Sequence, residues 1–148
     1  MHGPAMALAY AAGRICVPVV FIIYGFRKFM DVGSVSAQLA ERGIAMPPLF
    51  DGLGITTYDF IGYAVAAIEV VFGLMILVGL KARFAAAVLC LFTVATIFVG
   101  HDFWNQTGAA AASNEAHAIK NIAIIGALLM IVGVGSGPLS VDGSDRAN

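Results

Sequence analysis

Glu69 is the residue most clearly placed to take part in chemistry, because its carboxyl group lies near the middle of the apolar stretch Phe60–Leu80. An unpaired carboxylate in hydrocarbon is costly, so the group must be paired, protonated or in contact with water. On a helical projection, Gly62, Ala66 and Gly73 share its face, which predicts that Glu69 points at a closely packed helix rather than at lipid. Two interpretations follow: an interhelical hydrogen-bond anchor, or a carboxylate that handles protons or a polar ligand.

Arg14 is the second charged residue within an apolar stretch, and it lies about two turns inside Ala7–Phe26. That depth makes it hard for the guanidinium to reach the membrane interface and favours an acidic partner within the protein. Glu69 is one candidate partner, and Asp142 near the C-terminus is the other. If the first two helices are antiparallel neighbours, the depths of Arg14 and Glu69 match approximately, and an ion pair between them is a hypothesis.

A third polar group collects where three apolar stretches end or begin. Antiparallel packing would bring these ends to the same membrane face. We consider three interpretations: a solvated rim with aromatic anchoring, a site for a quinone or small substrate, and a metal site. The metal site is disfavoured because the ligand spacing matches no established pattern, so we predict no metal. The residues are Arg27, Lys28, His101, Asp102, Glu115, His117, Lys120 and Asn121, with Tyr24, Phe103 and Trp104 as aromatic neighbours.

The elements that position these residues follow from composition. The chain is 60% hydrophobic and 11% charged, with a mean hydropathy of +0.92, which excludes an ordinary soluble domain. A formal charge of −1 and 8 scattered basic residues argue against nucleic-acid binding. Cys16 and Cys90 form no metal or redox spacing, and we expect both to be buried thiols.

Four apolar windows approach the length of about 20 residues that a helix needs to cross the hydrocarbon core. The chain is therefore predicted to be all-α, a single transmembrane domain over residues 1–148 that forms a four-helix bundle. Lys81-Ala82-Arg83 joins the second and third helices as a tight hairpin. The windows are Ala7–Phe26, Phe60–Leu80, Phe84–Gly100 and Ala116–Gly135.

The long connection Arg27–Asp59 contains a pattern typical of a short amphipathic helix over Asp31–Arg42. Asp31 or Ser34 can cap its start and Gly43 its end, since short polar side chains suit helix N-termini and glycine suits C-termini. The prolines that follow cannot continue a helix. We therefore expect an interfacial helix between the first two membrane spans.

The basic residues of the connections divide equally between the two membrane faces, so the positive-inside rule alone gives a tie. Lys81 and Arg83 lie in the shortest loop with no acidic neighbour, which favours a cytoplasmic position for that loop. Both termini would then be cytoplasmic, and we expect a multi-pass protein of a bacterial inner membrane.

Four strings resemble the DoxX family, and most closely its YphA-like branch, over nearly the whole chain. They are RICVPVVFIIYGFRKFM, AIEVVFGLMILVGLKARFAA, GHDFWNQTG and IKNIAIIGALLMIVGVGSGPLSVDG. The resemblance implies a four-helix inner-membrane protein associated with redox functions, as in thiosulfate:quinone oxidoreductases and in complexes that respond to oxidative or thiol stress. It implies no catalytic residue set. The matching positions include Arg14, Lys28, Glu69, Gly73, Arg83, His101, Trp104, Lys120, Asn121 and Asp142.

Three functional hypotheses remain open: a membrane subunit of a quinone-linked oxidoreductase complex, a small-solute or proton-coupled transporter, and a non-catalytic scaffold or assembly protein. The expected partners are the bilayer, a redox subunit and a second copy of the chain. The sequence has no haem-ligand pair, flavin-binding pattern or iron–sulfur spacing, so a self-sufficient enzyme is not expected and quinone is the candidate cofactor. The candidate site residues are Arg14, Lys28, Glu69, His101, Asp102, Trp104, Lys120 and Asn121.

Overall fold

A computed structural model describes residues 3–43, 45–101 and 103–144, and within those ranges the regular structure is entirely helical. The predicted all-α class is confirmed. Two 3-10 turns, Asp51–Leu53 and Phe103–Asn105, lie in the connections. The helices are α1 (Pro4–Cys16), α2 (Val19–Met30), α3 (Val32–Glu41), α4 (Thr57–Val78), α5 (Ala82–Gly100), α6 (Gly108–Val134) and α7 (Val141–Ser144).

Within the described ranges, four segments are long and apolar enough to cross a membrane, as predicted. The first is Pro4–Met30, which comprises α1 and α2, and the others contain α4, α5 and α6. The 22 residues of α4 extend for about 33 Å, which matches the hydrocarbon thickness of a bilayer. Cys16 is exposed on the surface of its span and Cys90 is half-buried, so the prediction of buried thiols is wrong for Cys16.

The first span is broken at Pro18, although the sequence window treated it as one apolar stretch. Proline has no backbone N–H, so the carbonyl group of Arg14 cannot accept the usual helical hydrogen bond there. The last turn of α1 closes with the amide of Val17 donating to the Gly13 carbonyl at 3.1 Å. Pro18 itself is buried, and α2 begins at Val19.

The fourth span begins at Gly108 rather than at Ala116, so the predicted window is eight residues too short at its start. Ala109–Ala112 are not hydrophobic enough to extend an apolar window, but alanine is the strongest helix former and continues the helix toward the N-terminus. His117 therefore lies well inside α6 rather than at its first turn. The loop between α5 and α6 is correspondingly short.

The described chain divides into two compact units. The first comprises residues 3–19 and 72–144 and contains α5 packed against α6. Small residues and branched aliphatic residues form its buried centre, which permits the close approach of helices that is typical of membrane proteins. The fully or almost fully buried side chains there include Ala85, Ala86, Leu89, Leu128 and Ile131.

The second unit, residues 20–71, contains α2, α3 and most of α4. Asp31 caps α3 as predicted, because its carboxylate accepts from the amide of Ser34 at 3.3 Å, and Gly43 follows the helix with a φ of +66°. A side chain at Gly62 would lie 2.6 Å from the Val32 side chain, so glycine is needed where α4 meets α3. The interfacial position of α3 stays a prediction.

Candidate functional site

Glu69 forms an ion pair with Lys28 within the second unit. The Lys28 ammonium lies 2.6 Å from each carboxylate oxygen, and the Glu69 side chain is only 7% exposed. Gly62, Ala66 and Gly73 are buried like Glu69, so the predicted close-packed face is confirmed. The Lys28 ammonium thus supplies the opposite charge that an ionised carboxylate in hydrocarbon needs.

Gly25 is the residue that allows α2 to come close enough for this ion pair. A Cβ at position 25 would lie 2.8 Å from the Val70 side chain, 2.9 Å from the Cβ of Glu69 and 3.0 Å from the Ala66 carbonyl oxygen. These distances are shorter than van der Waals contact. Because Lys28 lies three residues after Gly25, the same helix face carries the close contact and the ammonium.

Arg14 does not pair with either acidic candidate, so both predicted partners are wrong. Its guanidinium donates at 2.8 Å to the carbonyl oxygens of Ile76 and Leu77 at the end of α4. It also donates to the carbonyl oxygen of Leu139 at 2.6 Å, and more weakly to that of Pro138 at 3.5 Å. Carbonyl oxygens at helix C-termini carry partial negative charge and substitute for a carboxylate.

Asp142 has a different role, because it fixes the C-terminal segment to the turn after α4. Its carboxylate accepts from the Lys81 amide and from the Ser136 hydroxyl, each at 2.7 Å, and its own amide donates to the Gly79 carbonyl at 3.2 Å. Gly79 has a φ of +73°, and a Cβ there would lie 2.2 Å from the Ser140 side chain. Arg14 and Asp142 therefore both have a structural role, because their hydrogen bonds join the end of α4 to the C-terminal segment.

His101 and His117 form a second polar group, within the first unit, where α5 ends and α6 begins. Their rings are stacked, with centroids 5.2 Å apart and planes inclined by 11°. The Nδ1 atom of His101 lies 3.2 Å from the side-chain oxygen of Asn114. Asn114 in turn donates to Gln106 at 2.7 Å and to the Ala110 carbonyl at 3.2 Å.

These contacts determine which nitrogen of His101 carries the proton. The Ala110 carbonyl can only accept, so it fixes the Asn114 amide with its NH2 toward Ala110 and its oxygen toward His101. The Nδ1 atom must then donate, and in the neutral ring Nε2 is an acceptor. Sequence analysis did not select Asn114 or Gln106, since polar residues around an alanine run are usually assigned to a solvated loop.

Aromatic side chains cluster at the 3-10 turn Phe103–Asn105, which follows His101 closely in the chain. Trp104 is 49% exposed, and its ring centroid lies 5.0 Å from that of Phe103 in an edge-on arrangement. The Phe98 ring centroid lies 6.0 Å from that of Trp104. An exposed tryptophan offers a flat apolar surface and one hydrogen-bond donor.

Three predicted site residues remain: Lys120, Asn121 and Asp102. Lys120 is exposed and Asn121 half-buried, and both lie three or four residues after His117, so they share its helix face. Asp102 lies outside the described residues. Among the residues described, no three histidine, cysteine or acidic side chains are grouped as metal ligands. The residues His101, Asn114, His117 and Trp104 are called the histidine site below.

Comparisons with known proteins agree with this architecture. The DoxX family profile matches residues 9–102. The chain is 30% identical to the inner membrane protein YphA of Escherichia coli (strain K12) over 140 residues, which cover 95% of this chain and 92% of that protein. No solved structure matches. With four helices that can span a bilayer and similarity over almost its full length, the chain is a multi-pass inner-membrane protein that belongs to the DoxX family.

Proposed function

We propose that the chain is the membrane subunit of a quinone-linked oxidoreductase complex and that the histidine site binds the quinone headgroup. The stacked His101–His117 pair is the observation that carries the proposal, because a second residue, Asn114, holds one ring in a defined tautomer. A histidine fixed in this way is typical of proton transfer to or from a bound group.

The chemistry of a quinone headgroup suits the side chains at this site. Reduction to the quinol takes up two electrons and two protons, so the site must supply or accept protons at the ring oxygens. With Nδ1 held by Asn114, His101 can accept a quinol proton at Nε2, or donate one from that atom after protonation. Trp104 offers a flat apolar surface against which a planar ring can pack.

The site also has a position suited to a lipid-soluble ligand. Quinones diffuse within the bilayer with their headgroups near the interface, and His101 directly follows α5, one of the helices long and apolar enough to cross the bilayer. Lys120, one turn after His117, adds a positive charge that favours a reduced, negatively charged ring oxygen. The electrons would come from the cofactor of a partner subunit.

Mass spectrometry of the gently purified protein, with its native lipids, tests the proposal. We expect bound quinone in the unaltered protein and at least a tenfold loss in His101→Asn. Asparagine can keep the hydrogen bond to Asn114 but has no group at the Nε2 position, so this variant separates binding from folding. Glu115→Gln is the control, because Glu115 is an exposed residue of α6, the helix that carries Asn114 and His117. Absence of quinone from the unaltered protein, or its full retention in His101→Asn, would refute the proposal.

A second candidate function, proton-coupled transport, is favoured by the Lys28–Glu69 pair alone. A carboxylate that exchanges between an ammonium partner and a proton could couple solute movement to proton movement. Proton flux into liposomes containing the purified protein, followed with a pH-sensitive dye, tests this function. Transport requires flux that Glu69→Gln abolishes, whereas a scaffold would show no flux in either protein.

A further inference from the structure

A groove lies along the last turns of α2 and the start of α3. It has a volume of about 590 Å³, within the range of ligand sites in proteins. We call it the α2 groove, and it is lined by Tyr24, Phe26, Arg27, Lys28, Met30, Asp31 and Ser34.

Arg27 provides the charge in the α2 groove. Its guanidinium lies 5.5 Å from the centre of the Tyr24 ring, which is a cation–π distance and orients the group along the groove wall. The Lys28 ammonium is paired with the Glu69 carboxylate, which is the ion pair that the described side chains contain. Arg27 is therefore a cation in a ligand-sized groove without a carboxylate in contact among the residues described, and phosphate is the anion that a guanidinium binds best.

The apolar part of the groove indicates what carries the phosphate. Phe26 is 62% exposed and Met30 is 76% exposed, so both present large apolar surfaces beside the cation. Arg27 also lies three residues from the end of Pro4–Met30, a segment long and apolar enough to cross a membrane. Basic side chains near the ends of such segments reach the phospholipid headgroups. A free phosphate ion would use the cation but not these apolar surfaces.

Asp31 does not oppose this assignment strongly. Its carboxylate accepts a hydrogen bond from the amide of Ser34 at the start of α3, and among the described side chains the ion pair is Lys28–Glu69 rather than one between Asp31 and Arg27. We propose that the α2 groove binds an anionic phospholipid, whose phosphate group is held by Arg27 and whose acyl chain lies along Phe26 and Met30.

Thermal unfolding of the detergent-purified protein tests the proposal, with dioleoylphosphatidylglycerol or dioleoylphosphatidylcholine added to the micelles. Phosphatidylglycerol should raise the unfolding temperature more than phosphatidylcholine does, and Arg27→Gln should weaken its apparent affinity about fivefold. Lys81→Gln is the matched control, because it removes one positive charge from an exposed residue outside the groove. Circular dichroism establishes that both variants keep their helical content.

Three results would overturn the proposal. Equal stabilisation by the two lipids would exclude a preference for an anionic headgroup and overturn the proposal. An equal loss of affinity in Lys81→Gln would assign the effect to general surface charge. Stabilisation by inorganic phosphate at concentrations equal to those of the lipid would identify a free-anion site instead. A selective loss in Arg27→Gln, with phosphate ineffective, supports the phospholipid.

Discussion

Removing the two members of the Lys28–Glu69 ion pair separately should have unequal effects on stability. The ammonium lies 2.6 Å from each carboxylate oxygen. At an effective dielectric constant of about 20, two unit charges at that distance attract by about 6 kcal/mol. The cost of removing both ions from water offsets most of that attraction, so the pair itself contributes little, but one member left alone is costly.

The exposures of the two side chains predict which variant loses more. Lys28→Met leaves a carboxylate that is only 7% exposed, and we expect a loss of about 3 kcal/mol in the free energy of unfolding. Glu69→Gln leaves an ammonium that is 27% exposed and can move toward the interface, so we expect a smaller loss of about 1 to 2 kcal/mol. The double variant should be more stable than the sum of the two losses predicts, by about 2 kcal/mol.

Unfolding in mixed micelles with increasing dodecyl sulfate, followed by circular dichroism, measures these free energies. Lys81→Met and Glu115→Gln form the control pair, since both residues are exposed; Lys81 directly precedes α5 and Glu115 lies in α6. Their losses should be small and additive. Additive losses for Lys28 and Glu69, within about 0.5 kcal/mol, would refute the argument. A larger loss of unfolding free energy in Glu69→Gln than in Lys28→Met would refute the assignment of Glu69 as the more deeply buried charge.

Two further variants test the close packing and the helix ends. Gly25→Ala should destabilise the protein by about 1 to 3 kcal/mol in the same titration, because the added Cβ would overlap Val70 and Ala66, whereas Gly126→Ala, with open space around it, should not. Arg14→Lys should make residues 136–144 more sensitive to protease, because one ammonium cannot reproduce the guanidinium's bonds to both Ile76 and Leu139. Unchanged cleavage would contradict the role assigned to Arg14.

The sequence predicted the features that depend on local patterns. Helical periodicity identified the buried face around Glu69, and capping preferences identified Asp31 as the start of α3. Lys28 was missed as the partner of Glu69 because Arg14 was also available. The positions of the two residues along the first span do not alone show which of them meets Glu69. The partners of Arg14 were missed because they are backbone carbonyls, which no side-chain pattern reveals.

Only part of the histidine site was predicted from the sequence. His101 was selected as a candidate site residue, whereas His117 was named only as a member of the polar group, and their stacking depends on the early start of α6 at Gly108. That start is determined by the helix propensity of alanine, which a search for apolar windows does not register. Asn114 therefore became recognisable as the anchor of His101 only when the helix was located.

The hydrogen bonds of Arg14 have a consequence for how the protein is made. Two of its carbonyl partners, Pro138 and Leu139, follow it by 124 and 125 residues along the chain. A ribosome synthesises Arg14 well before these partners. Until they are made, the guanidinium lacks two of its four carbonyl acceptors. A truncation before Pro138 would therefore leave this buried cation with two fewer acceptors than in the folded protein.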